Sequence, residues 1–178
     1  MQTRATPPEF VRTDAVKSFW TYVQSLCADV WPPRYGDFEV MDLFSIAPHL
    51  VILDTQPSSE RFLVRYAGTS VVALFGRETT GLYMDQVDLG EHKDELMQVY
   101  RRCRDEARSF WTLASVHLNE ERRFGPPVQR MFDYERLVYP FQGADGSIVR
   151  LVSIVIREDA ATEETGFECR ELPPMAPA

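Results

Sequence analysis

The sequence predicts an α+β domain: a five-stranded antiparallel sheet with helices on one face and an N-terminal amphipathic helix placed to cover the other. Three observations lead there. Apolar residues recur at steps of three and four over residues 14–31 and again over 91–107. Five short stretches rich in β-branched and aromatic residues alternate with turn chemistry. The order along the chain is helix, two strands, helices, three strands, and the last strand is apolar at both sets of alternating positions. Val149, Leu151 and Val155 point one way and Ile148, Val152, Ile154 and Ile156 the other, so both faces of the sheet need cover.

The first helix carries Val16, Phe19, Trp20, Val23, Leu26, Cys27, Val30 and Trp31 on one broad stripe. Thr13 is placed to cap it, and Pro32-Pro33 must stop it, because neither ring can donate a backbone hydrogen bond. The stripe has two readings. It can cover the sheet, or Val16, Trp20, Val23, Cys27 and Val30, at alternating steps of four and three, can meet the same helix of a second subunit. We expect both, with Phe19 or Trp20 on the sheet and the remainder at a homodimer seam.

A short amphipathic piece over residues 41–46 precedes two strands, residues 50–54 and 61–67, joined by the polar turn 56–60. Gly68-Thr69 opens a short helix in which Thr69 can be the cap, Val71, Val72, Leu74 and Phe75 the apolar surface, and Gly76 the left-handed stop. In the second amphipathic helix Leu96, Met97, Tyr100, Cys103 and Ala107 share one face, and Cys103 reads as core. Strands over 110–118, 128–141 and 148–156 complete the sheet, the last two joined by a glycine turn at 142–146.

With 178 residues, 44% of them hydrophobic, the chain is sized for one domain. We expect a flexible N-terminus over 1–12, the domain over 13–158 and an acidic flexible tail over 159–178, where six carboxylates stand against two arginines counted from Arg157. A net charge of −8 argues against a phosphate-binding surface, hence against nucleic-acid partners. Without a long apolar run or a leader-like N-terminus, a cytoplasmic, non-membrane protein is expected. Cys27, Cys103 and Cys169 are odd in number and far apart, so no disulfide framework and no metal site is predicted.

The run Phe62-Leu-Val-Arg65-Tyr66-Ala67-Gly68-Thr69, followed by Leu74-Phe75-Gly76-Arg77 and Thr80-Gly81, resembles the second strand and following helices of PAS domains. It is similar in particular to a bacterial, nearly stand-alone PAS group. That group's helix has an aromatic-Trp pair, here Phe19-Trp20, then a Pro-Arg step before Asp-Phe, here Pro33-Arg34 and Asp37-Phe38. Pro48-His49-Leu50, Ile52-Leu53-Asp54, Tyr134-Glu135-Arg136-Leu137 and Pro140-Phe141 extend the resemblance over roughly residues 16–158. It implies a PAS fold, signal transduction by small-ligand sensing or docking of a protein partner, and frequent dimerisation through the first helix.

The cofactors of that family leave signatures. Covalent flavin photochemistry needs a cysteine on a short helix, and residues 79–85 hold none, so no covalent flavin is expected. A heme is not expected either, since His92 stands in a polar first turn between Glu91 and Lys93. No catalytic residue is assigned. Ser115 and His117, two apart on one strand, lack the geometry and third partner of a nucleophile-base pair, and residues 76–81 lack the lysine of a phosphate loop. A small α+β enzyme would need a buried acid/base pair that the sequence does not offer.

Polar residues inside strand patterns are the ligand-pocket candidates: Arg65, Tyr66, Trp111, Tyr134, Arg136 and Tyr139. An inward arginine could hold a carboxylate or phosphate in two parallel hydrogen bonds while the aromatic rings line the rest. The alternative is a strand-face arginine paired with a neighbouring carboxylate. The expected protein is a non-catalytic sensory module; the rival expectation is an interaction adaptor whose core is filled by its own side chains.

Overall fold

The computed structural model describes residues 6–27, 29–56, 58–120, 126, 128–158 and 166–173. The chain folds as helix α1 (Asp14–Leu26), strands β1 (Leu50–Asp54) and β2 (Leu63–Ala67), helices α2 (Thr69–Phe75) and α3 (Lys93–Asp105), then strands β3 (Phe110–Glu120), β4 (Val128–Gln142), β5 (Ile148–Glu158) and β6 (Phe167–Glu171). All pairings are antiparallel, in the order β2-β1-β5-β4-β3-β6. The predicted five strands are therefore present, and a sixth is added at the β3 edge.

Alternation along the strands divides the core into two layers. Val51, Leu53, Phe110, Ala114, Tyr134, Val138, Leu151 and Val155 pack with Val71 and Leu74 of α2 and Leu96, Tyr100 and Cys103 of α3. On the other side Leu50, Ile52, Trp111, Leu137, Tyr139, Phe141, Val152 and Ile154 pack with Val16, Phe19, Trp20 and Val23 of α1. Ile148 departs from its predicted side and packs toward the α2/α3 layer, near a register shift between Phe141 and Gln142.

The N-terminal helix covers the second face as expected, capped by Thr13 Oγ1, which accepts from Val16 N at 3.4 Å. Burying each of its large apolar residues contributes on the order of 2 kcal/mol. It ends at Leu26, well short of Trp31. Tertiary contact overrides the periodicity there: the Trp31 indole donates to Ala107 O at 3.0 Å and its ring meets Tyr139 edge-on. Val16, Trp20, Val23 and Cys27 are buried inside this one chain, and Val30 lies beyond the helix. Four of the five residues assigned to a homodimer seam, Val16, Trp20, Val23 and Cys27, thus pack in the intramolecular core.

Helix α2 corrects a second expectation. Gly68 is its N-cap and Thr69 is already helical, while Gly76 closes it in the left-handed conformation as predicted (φ 74°).

Described residues within both segments expected to be flexible pack on the domain. Val11 is buried and Phe10 packs at a tilt against Trp111 with ring centroids 5.3 Å apart, so residues 10 and 11 are held against the domain. In the acidic tail, residues 167–171 pair with 110–114 of β3, and Leu172 is buried with its N–H donating to Ser109 O at 3.0 Å. Glu171 meets Arg102 at 3.3 Å and Arg108. Composition could not reveal this, because the acidic charge is matched by arginines distant in sequence and the pairing satisfies an otherwise open sheet edge. Removing residues 166–178 is expected to expose that edge and produce concentration-dependent association in light scattering. A truncated chain that stays monodisperse with unchanged unfolding would contradict this role for β6.

Candidate functional site

Strand β4 carries the site because its alternation sends consecutive residues into different layers. Tyr134, Arg136 and Val138 face α3, whereas Glu135, Leu137, Tyr139 and Phe141 face α1. Arg136 is only 2% exposed. Its guanidinium carbon lies 5.6 Å from the Tyr100 ring centre and 5.2 Å from that of Tyr134, and Nη1 donates to the Tyr100 hydroxyl. Its Nε has no acceptor, and among the described residues no carboxylate forms an ion pair with it.

The strand register surrounds this cation with further polar groups. Thr112 of β3 and Val155 of β5 stand directly across from Arg136, and Ser153 stands across from Val138, one inward position along. The hydroxyls of Thr112 and Ser153 are buried and without a partner. Burial pushes Arg136 down to about 9, which still leaves it a cation at neutral pH. Burial, aided by the charge of Glu91, raises Tyr134, and burial raises Cys103. Tyr134 is therefore a neutral hydroxyl and Cys103 an unreactive thiol.

On the opposite layer Glu135 is fully buried and accepts three hydrogen bonds: from Trp111 Nε1 at 2.6 Å, from Arg12 N at 2.7 Å and from Thr13 N at 2.9 Å. Two of these donors lead into α1. A carboxylate at that point satisfies backbone groups and complements the positive end of the helix. The anchor of the N-terminal helix is therefore the chain neighbour of the buried arginine.

The six pocket candidates do not form one pocket. Tyr134 and Arg136 share the α3 side. Trp111 and Tyr139 lie on the α1 side, where Trp111 binds Glu135 and Tyr139 packs against Phe19 and Trp31. Tyr66 packs toward that same layer and donates to Ala47 O at 3.1 Å. Arg65 is exposed and paired with Asp54 at 2.5 Å, while Arg150 contacts the other Asp54 oxygen at 2.9 Å. Sequence reasoning missed Thr112 and Ser153, which lie on the inward parity of their strands, and treated Tyr100 as plain core.

Among the described residues, openings lie elsewhere. A groove of about 620 Å³ runs between α1 and residues 42–46, past Lys17, Thr21, Tyr22 and Asp42, with Met41 and Phe44 exposed nearby. A smaller one of about 200 Å³ lies by Trp31, Ala107 and Leu172. Neither is lined by Arg136. His92 sits at the start of α3 against Phe167, and His117 pairs with Glu91 at 2.7 Å while Ser115 donates to Asp133 at 2.6 Å, so Ser115 and His117 have separate partners. Among the described residues no cluster of metal-ligating side chains occurs, and no helix is long and apolar enough to cross a membrane.

No family model and no curated protein matches the chain. Solved structures similar to it include a light-oxygen-voltage domain bearing a flavin analogue, at 16% identity over 69% of this chain and 87% of that one with a TM-score of 0.46. A LOV protein of Rhodobacter sphaeroides follows at 14% identity, 68% and 69% coverage and a TM-score of 0.42. VqmA bound to DPO is similar at 15% identity, 68% and 58% coverage and a TM-score of 0.45. At these values the likeness says nothing about ligand or activity. The architecture itself, an antiparallel sheet in the order β2-β1-β5-β4-β3 with α2 and α3 on one face and α1 on the other, is the PAS-like α+β fold that the sequence implies.

Proposed function

We propose that the chain is a non-catalytic sensory module: a small molecule enters between the sheet and α3, and its occupancy reaches a protein partner through α1. One observation carries this reading. Arg136, on the ligand side of β4, is bonded through the backbone to Glu135, which on the other side holds Arg12 and the N-cap Thr13, the residues that lead into α1. A shift of β4 that accommodates a ligand at Arg136 changes the three hydrogen bonds of Glu135, and with them the balance between docked and released α1. Homodimerisation through the α1 stripe is not part of this proposal, since those residues pack within the chain.

The test combines native mass spectrometry, for a retained small molecule, with a thermal-shift screen of metabolites. A compound that raises the unfolding temperature should also change trypsin cleavage at Lys17 of α1, and Glu135→Gln should uncouple the two responses. Binding that leaves cleavage at Lys17 unchanged would refute the sensory reading. The rival, an adaptor with a filled core, is favoured by the position of both openings away from Arg136; it requires that no compound bind on the α3 side.

A further inference from the structure

The groups on the α3 side define the chemical class of ligand, an inference that rests on the sensory reading. The inner face of β3, β4 and β5 presents three fully buried polar groups with free hydrogen-bonding capacity: Arg136 Nε, Thr112 Oγ1 and Ser153 Oγ. Tyr134 adds a neutral hydroxyl beside them, and α3 adds that of Tyr100. Every group in the set can donate, and among the described residues no carboxylate pairs with the cation. An uncompensated charge and orphaned hydroxyls are costly inside a protein, so the cluster is chemically complete only with an anion in it.

The charge of that anion follows from the same count. Arg136 is the sole cation of the cluster, so a monoanion neutralises it, whereas a phosphate dianion would leave one negative charge buried. A carboxylate also matches the planar guanidinium edge, whose Nε side is open while Nη1 is engaged by Tyr100. Around the polar groups the walls are apolar: Phe110, Ala114, Val138, Val155 and Cys103. Ala114, directly across from Tyr134, leaves a small side chain at that point of the layer.

We propose that Arg136 and Thr112, directly across from each other on β4 and β3, hold the carboxylate of a small monocarboxylic acid whose apolar body lies between the sheet and α3. The acid displaces the Tyr100 hydroxyl from Arg136, so α3 shifts as the ligand enters. Tyr100 stands in for the ligand in the unoccupied protein, which keeps the interior closed.

The experiment is calorimetry and thermal unfolding of the full chain with hexanoate and benzoate, each against its neutral amide and against inorganic phosphate. Either acid at millimolar concentration should raise the unfolding temperature by several degrees in a saturable manner, and the amides and phosphate should not. Thr112→Val should weaken binding of the acid about tenfold, the effect of one lost hydrogen bond to a charged group. Arg136→Met should unfold cooperatively without ligand and abolish the response; Arg136→Lys, which keeps the charge but loses the planar edge, should retain a weakened one. An equal response to amide and acid, an undiminished response in both Arg136 variants, or no response to either acid overturns the assignment. A neutral compound that binds and alters cleavage at Lys17 overturns the carboxylate alone, whereas acid binding without any change at Lys17 overturns the sensory reading alone.

Discussion

Glu135→Ala should destabilise the fold by about 3–5 kcal/mol and release the start of α1. The carboxylate is fully buried and satisfies the Trp111 indole N–H and two backbone N–H groups, those of Arg12 and the N-cap Thr13. Alanine leaves all three donors without their acceptor in a place where the indole has no access to water. Each such orphan costs about 1–3 kcal/mol, reduced where the freed N-terminal segment can reach solvent. The backbone amides recover most by undocking, so cleavage at Lys17 should accelerate before the rest of the chain unfolds. Glu135→Gln keeps one acceptor oxygen but turns a donor toward a donor, and should fall between wild type and alanine. Urea unfolding followed by tryptophan fluorescence gives the magnitude, and limited trypsin digestion gives the order of events. A loss below about 1 kcal/mol, or cleavage that tracks global unfolding, would remove Glu135 from its role as the anchor of α1.

The layers of the fold were legible because they rest on periodicity. Val149, Leu151 and Val155 against Val152, Ile154 and Ile156 announced a sheet covered twice, and the stripe from Val16 to Val23 supplied the second cover. The site was legible only in part, since alternation tells that Arg136 and Glu135 oppose each other but not which layer is which. Trp111, Tyr134 and Tyr139 looked alike as aromatic residues in strands, yet only Tyr134 has the parity of Arg136. Thr112 and Ser153 gave no signal because a hydroxyl in a strand is ordinary until its partner is found missing. Arg65 and Arg136 were indistinguishable as strand arginines; the difference lies in Asp54, eleven residues upstream of Arg65 and across the β1–β2 pair, for which Arg136 has no counterpart among the described residues. Strand β6 was hidden for a related reason: Glu171 finds Arg102 and Arg108 only after folding.

Gly68→Ala should cost about 3 kcal/mol, at the upper end of what one added methyl group does to a packed protein. The reason is not the backbone conformation, since φ is −65° and any residue adopts it. A Cβ at this position would stand 2.2 Å from Pro48 O, 2.4 Å from the carbon of the same carbonyl and 2.6 Å from Ala47 O, and none of these can turn aside as a side chain would. Nor can Gly68 retreat. Its N–H donates to Leu50 O at 2.9 Å and its carbonyl accepts from Val72 N at 3.0 Å, so moving it disturbs both the β1 edge and the first turn of α2. The glycine of the Arg-Tyr-Ala-Gly-Thr run is thus a contact point between α2 and the turn at Ala47–His49, which leads into β1. Gly36→Ala is the control: nothing lies within 4 Å of its added Cβ, and it should change stability by no more than about 0.5 kcal/mol. Equal effects of the two substitutions in urea unfolding would mean that the approach of Gly68 to Pro48 is not a constraint on the fold.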